Sequence, residues 1–226
     1  MKKSSILILI IICLVGCKKG SNETTITGEI KGLGTDTLYL YGMDELYDRI
    51  DTIYVENDKF SYTTSVDTIT SAYLLLKNRI EYPVFLDKGN KIKIKGDTIN
   101  LNFLTISGNI YNEEFTDFQK ALEDPADPSE KAGEETVDKR ITVEKANTAE
   151  EMAEEFILQH HSSYVSLYLL DKYFVQKETP DFSKIKKLVE VMTGVLQDKP
   201  YIERLNETIT QAEKSEIGKY APFFSL

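Results

Sequence analysis

The chain has 226 residues, with 27 Lys and Arg against 37 Asp and Glu, two cysteines, no tryptophan and 41% hydrophobic residues. That composition can build a core and excludes a wholly disordered chain, and the length suits one large domain or two small ones. A formal charge of -10 argues against broad nucleic-acid binding and against acidic partners.

The N-terminus is read first, because part of it is expected to be removed. Met1, Lys2 and Lys3 make a positive start, and residues 6–15 (ILILIIICLV) are an unbroken apolar run. Ten helical residues reach only about 15 Å, half a bilayer's hydrocarbon core, so the run reads as a signal h-region and not as a span. Leu14, Val15, Gly16 and Cys17 follow. They resemble the bacterial lipobox, in which a cysteine thiol receives diacylglycerol and the chain is cut ahead of it. Residues 1–16 are therefore expected to be a lipoprotein signal peptide, with cleavage between Gly16 and Cys17 and lipidation of Cys17. Cleavage there removes Cys13, Lys2 and Lys3 and leaves 210 residues with a formal charge of -12. The mature chain would hold no free thiol, which excludes a cysteine redox pair, a disulfide framework and a zinc–thiolate site within this polypeptide. Residues 17–24 read as a lipidated tether, in which Lys18 and Lys19 either touch anionic headgroups or are solvated linker charges.

Residues 25–108 have period two and are rich in β-branched residues and tyrosine. Strands are predicted at 25–31, 37–41, 49–56, 59–64, 71–76, 82–86, 91–95 and 101–107, with hairpin turns at 56–59 (ENDK) and 87–90 (DKGN). Such short strands imply an antiparallel β-sandwich or open barrel. In residues 91–95 (KIKIK) the isoleucines face a core and the lysines face water. The lysines suggest an outer or edge strand, where they discourage edge pairing.

Residues 109–217 change to helical spacing, so the expected class is α+β, a β-sandwich or open barrel followed by a helical segment. Capping signals stand at 127–130 (DPSE) and 148–151 (TAEE). Ile185, Leu188, Val189, Met192, Val195 and Leu196 share one apolar face, and Ile202, Leu205, Ile209 and Ala212 share another after Pro200. Residues 164–174 are apolar almost all round and read as the central helix, while 129–155 read as a solvated charged stretch.

Chemistry-bearing residues are sparse. His160 and His161 are adjacent, so on a helix they diverge by about 100° and cannot chelate one metal together. No metal site, cofactor or catalytic residue is expected, since no hydrolase, zinc, calcium or phosphate-loop spacing occurs. Tyr39, Tyr41, Tyr54, Tyr62, Tyr73 and Tyr82 form either a sugar-binding platform or ordinary cross-strand packing. Asp-Thr-aliphatic occurs at 36–38, 51–53, 67–69 and 97–99. One reading is strand initiation. The other is that Thr37, Thr52, Thr68 and Thr98 are O-glycosylation acceptors, since each triplet resembles the acceptor of the general system of Bacteroidetes.

Residues 26–32 (ITGEIKG), 36–40 (DTLYL), 85–90 (FLDKGN), 106–109 (ISGN) and 112–115 (NEEF) together resemble the N-terminal domain, domain of unknown function 4369, of Bacteroidetes thioredoxin-like lipoproteins. Residues 156–160 (FILQH), 163–167 (SYVSL) and 218–226 (GKYAPFFSL) resemble the same proteins, although His161 stands where they often have Pro. In them the last segment opens a thioredoxin-like domain whose Cys-x-x-Cys pair exchanges thiols and disulfides. Residues 218–226 are expected to be the stub of that domain. The gene is then truncated, its frame is interrupted, or a separate polypeptide supplies the catalytic half. The resemblance implies a non-catalytic accessory module in the cell envelope, lipid-anchored on the periplasm-facing outer membrane, with a thioredoxin-like domain or protein as partner. The alternative is a free-standing lipoprotein that binds a small ligand or glycan through its β-domain.

Overall fold

The computed structural model describes residues 22–43, 45–123 and 140–215. The signal peptide, Gly16, Cys17, the capping signal at 127–130 and the segment 218–226 lie outside the described residues.

Among the described residues, alternation of apolar and polar residues produces eight strands: β1 Glu23–Lys31, β2 Asp36–Gly42, β3 Ile50–Val55, β4 Lys59–Ser65, β5 Thr70–Leu75, β6 Glu81–Leu86, β7 Lys91–Asp97 and β8 Thr105–Ser107. They form two four-stranded sheets, ordered β4-β1-β7-β8 and β3-β2-β5-β6, and neither closes into a barrel. Ile26, Ile30, Ile92 and Ile94 of the first sheet and Leu38, Leu40, Ile53 and Leu74 of the second are buried. The β3–β4 turn places Asn57 and Asp58 at positive φ, and Gly89 does the same in the β6–β7 turn, the backbone that tight hairpins demand.

Three strand expectations are corrected. The sandwich is not wholly antiparallel, because β1 and β7 run parallel, from Thr25 beside Lys91 to Lys31 beside Asp97. Between β1 and β7 the chain builds the whole of the second sheet and β4 of the first, and that long crossover is what parallel pairing requires. For the same reason β7 is no edge strand: it lies between β1 and β8. The strand predicted at 101–107 shortens to Thr105–Ser107, since Leu101 and Leu104 are buried from a turn instead.

Five α-helices follow among the described residues: α1 Ile110–Glu123, α2 Arg140–Gln159, α3 Tyr164–Leu170, α4 Phe182–Val191 and α5 Pro200–Ser215. Ser163 caps α3 by accepting from Val165 N at 3.2 Å, and Asp181 caps α4 by accepting from Lys184 N at 3.0 Å. The expected start at Thr148 is not one, because α2 already runs from Arg140 and passes through it. The apolar face predicted across 185–196 is broken as well. Met192 turns extended at the end of α4 and Gly194 takes a positive φ, so Leu196 stays buried while Val195 is 57% exposed. All seven residues of α3 are buried, and a π-helical turn, Asp171–Val175, continues it. Buried apolar residues form one continuous cluster from Ile26 to Ile209, so strands and helices share a core.

Candidate functional site

Helix α1 seals one side of the sandwich. Asn112 is buried and exchanges two hydrogen bonds with the main chain of Phe85 on β6, an edge strand. One turn later, Thr116 Oγ1 accepts from Ile106 N at 3.0 Å and donates to Ile106 O at 2.9 Å on β8, the edge of the other sheet. Two residues at i and i+4 thus occupy both edges from one helix face. Nothing in their spacing distinguished them from any polar pair on a helix.

The opposite side is closed by the short 3-10 turn Glu45–Tyr47 and the start of β3. The Tyr47 hydroxyl donates to Asp51 and lies 3.1 Å from Thr64 Oγ1. Arg49 donates from Nε to Asp51 at 3.1 Å and from Nη2 to Ser65 O at 3.1 Å, with its guanidinium 4.7 Å from the Tyr47 ring centroid. Burial, reinforced by Asp51, pushes the Tyr47 phenol up to about 12.

A third cluster joins the helices to the outside of the second sheet. Tyr73 on β5 meets Tyr168 of α3 edge-on at 6.3 Å and lies 5.7 Å from Tyr41 of β2. Asp171 beneath them is buried and accepts from the Tyr201 hydroxyl and from Gln176 Nε2, each at 2.6 Å. Burial first, and the Asp171 charge second, hold the Tyr73 and Tyr201 phenols above their ordinary range. These tyrosines are neutral hydrogen-bond donors and packing surfaces, not bases. Lys199, also buried, donates to Ile69 O at 3.2 Å and sits 4.8 Å from the Tyr164 ring centroid, tying the start of α5 to the loop before β5.

The six strand tyrosines do not share one surface. Tyr82 crosses the core to donate to Leu104 O at 2.7 Å, Tyr73 is covered by the helices, and Tyr62 is half-buried. Tyr39 and Tyr54 stay outside, 41% and 73% exposed, and Ile50 beside them is 73% exposed. Cross-strand pairs Thr37–Tyr54, Tyr39–Thr52 and Tyr41–Ile50 place these side chains on one outer face of β2 and β3. The helices cover the neighbouring β5 half of that sheet and leave this half bare. At their junction a cleft of about 430 Å³ is lined by Tyr41, Tyr47, Arg49, Ile50 and Arg204.

The Asp-Thr triplets have no common setting. Asp36 opens β2, where the Thr37 main-chain N–H above all, and then Lys77, lower its pKa. Asp51 and Thr52 lie within β3, while Thr68 sits in the bend before β5. Asp97 ends β7 instead of opening a strand, so strand initiation does not account for that triplet. Thr52 and Thr68 are exposed, whereas Thr37 and Thr98 are half-buried. The histidines diverge: His160 stacks on Phe156 at 4.1 Å and lies 3.6 Å from Glu114, while His161 is exposed. Among the described residues no group of three His, Cys, Asp or Glu side chains could hold a metal ion.

The matched sequence spans the whole sandwich and reaches into α1, ending just past Asn112, the residue that seals β6. Residues 24–115 match the family model described as Domain of unknown function (DUF4369). The DUF4369 domain thus includes its own edge closure at Asn112, while Thr116 and the later helices stand beyond the match. No curated protein matches this chain.

Proposed function

We infer that the chain is a non-catalytic, membrane-anchored interaction module whose partner is a thioredoxin-like domain, the redox half of the lipoproteins it resembles. The observation that carries this reading is the bare face of Tyr39, Ile50 and Tyr54 beside a helical layer that covers the rest of the same sheet. Large apolar side chains clustered outside a fold are more often docking surface than accident. The lipid on Cys17 holds the module at the membrane of the cell envelope, and the partner performs the thiol chemistry.

The test begins with the locus, read for a thioredoxin-like frame with a Cys-x-x-Cys motif. Its product, titrated calorimetrically into the mature chain, is expected to bind, with Tyr54→Ser and Ile50→Ser each weakening the complex at least roughly tenfold. Absence of heat, or variants that bind as well as wild type, would overturn the reading.

The second reading, a free-standing lipoprotein that binds a small ligand or glycan through the β-domain, draws on the cleft between Tyr41, Arg49 and Arg204. Its volume of about 430 Å³ falls in the range of small-molecule sites. Saturable quenching of tyrosine fluorescence by an oligosaccharide, lost in Arg49→Ala, would favour it over the first.

A further inference from the structure

The lysines of β7 lose their simplest explanation once the strand is placed. Lys91, Lys93 and Lys95 guard no edge, because β1 and β8 flank the strand on both sides. They nevertheless stand exposed on the outer face of the first sheet, successive side chains about 6.6 Å apart. Lys31 of β1 and Lys59 of β4 are exposed on the same face. Among the described residues Lys77, Lys120, Lys177, Lys184 and Lys186 make ion pairs, whereas Lys31, Lys59, Lys91, Lys93 and Lys95 make none.

The neighbours of the lysines are mostly hydroxyls. Thr25 lies beside Lys91, Thr27 and Ser107 flank Lys93, and Glu29 and Thr105 flank Lys95. Glu23, Glu29 and Asp97 are the acids of this face. The charge of -10 that argues against acidic partners is therefore unevenly spread, and this surface is cationic within an acidic protein. Its position relative to the anchor is equally specific. Only five residues separate Cys17 from Glu23, where β1 begins, so the six Cα–Cα steps of the tether span at most about 20 Å. The Thr25 N–H donates to Asn90 O at 3.0 Å, so the tether enters the fold next to Lys91.

We propose that the Lys31, Lys59, Lys91, Lys93 and Lys95 face of the first sheet lies against an anionic phospholipid surface, turning the Tyr39 and Tyr54 face toward the periplasm. This orientation rests on the lipid-anchor reading, and the lysine contact itself does not. Anionic headgroups attract each lysine near the surface by about fivefold in partition, within a Debye length of about 8 Å. The tether holds the face close enough to be captured.

The lipidated chain, purified and placed on vesicles of phosphatidylcholine alone or with about one third phosphatidylglycerol, is labelled with an amine-reactive reagent and read by peptide mass spectrometry. Labelling of Lys91, Lys93 and Lys95 is expected to fall about fivefold or more on the anionic vesicles, with Lys177 and Lys186 unchanged. Sodium chloride at about 0.5 M is expected to abolish the difference. In K91S/K93S/K95S, Lys31 and Lys59 lose their protection. Equal labelling on both vesicles overturns the proposal. Retention on the anionic vesicles alone, with the lysines protected, removes the lipid anchor and keeps the lysine face. Retention on neither overturns both.

Discussion

The side-chain amide of Asn112 takes the place of a neighbouring strand beside Phe85: Nδ2 donates to Phe85 O at 2.8 Å, and Phe85 N donates to Oδ1 at 3.0 Å. Phe85 O also accepts from Asn109 Nδ2 at 2.8 Å, so an apolar replacement of Asn112 leaves the buried Phe85 N–H as the unpaired group of β6. Asn112→Leu and Thr116→Val are each expected to cost about 1–3 kcal/mol. Urea unfolding midpoints measure both, and an Asn112→Leu midpoint equal to wild type would show that the seal contributes nothing.

Gly28 on β1 is required by Phe60. A Cβ at position 28 would stand 2.1 Å from Phe60 Cζ, inside the sandwich, where Phe60 is buried. Gly28→Ala is expected to destabilise by about 1–3 kcal/mol, the usual cost of overpacking. Combining it with Phe60→Leu is expected to recover part of that loss, and strict additivity of the two changes would refute the contact.

Alkaline stability follows from the buried phenols. Folding holds Tyr47 at about 12, against about 10 in an unfolded chain. The neutral phenol is the form that folding favours, so its contribution is complete below pH of about 10 and is lost as pH rises through about 12. Stability measured across that window is expected to fall, less steeply in Tyr47→Phe. Tyr73 and Tyr201, raised in the same direction, add to the fall. A flat profile in wild type would contradict the burial argument.

Tyr54 and Ile50 separate function from folding. Both side chains are largely outside the core, so Tyr54→Ser and Ile50→Ser are each expected to change stability by less than about 0.5 kcal/mol. Loss of partner binding in a variant with an unchanged unfolding midpoint assigns these residues to docking. A midpoint that drops with binding assigns them to the fold.

Thr52 and Thr68 are the exposed acceptors of the proposed glycosylation. The intact mass of native protein is expected to exceed that of the lipidated polypeptide and to fall in Thr52→Ala or Thr68→Ala. A native mass equal to the lipidated polypeptide excludes the modification.

The strands were legible because each is a local pattern. In β7, Ile92 and Ile94 point inward and three lysines point outward, as period two requires. The hairpin at Asn57 and Asp58 was legible for the same kind of reason, since those residues tolerate positive φ. The tyrosine set was not legible as a site. Period two places Tyr39 and Tyr73 on one face of their sheet, yet only packing by α3 buries Tyr73 and leaves Tyr39 bare. The pair of buried Asp171 and half-buried Tyr201 carries no signal at all, being brought together from positions 30 residues apart in the chain.

Local chemistry therefore determined the α+β class, the turns and the inward residues, because propensity and alternation act over a few neighbours. Long-range pairing determined the parallel register of Thr25 with Lys91, the closure of the β6 and β8 edges by Asn112 and Thr116, and which faces of the sheets remain bare. Which strands pair, and which helix covers them, depends on burying the most apolar area without leaving a backbone group unpaired, a condition met only by the whole chain at once.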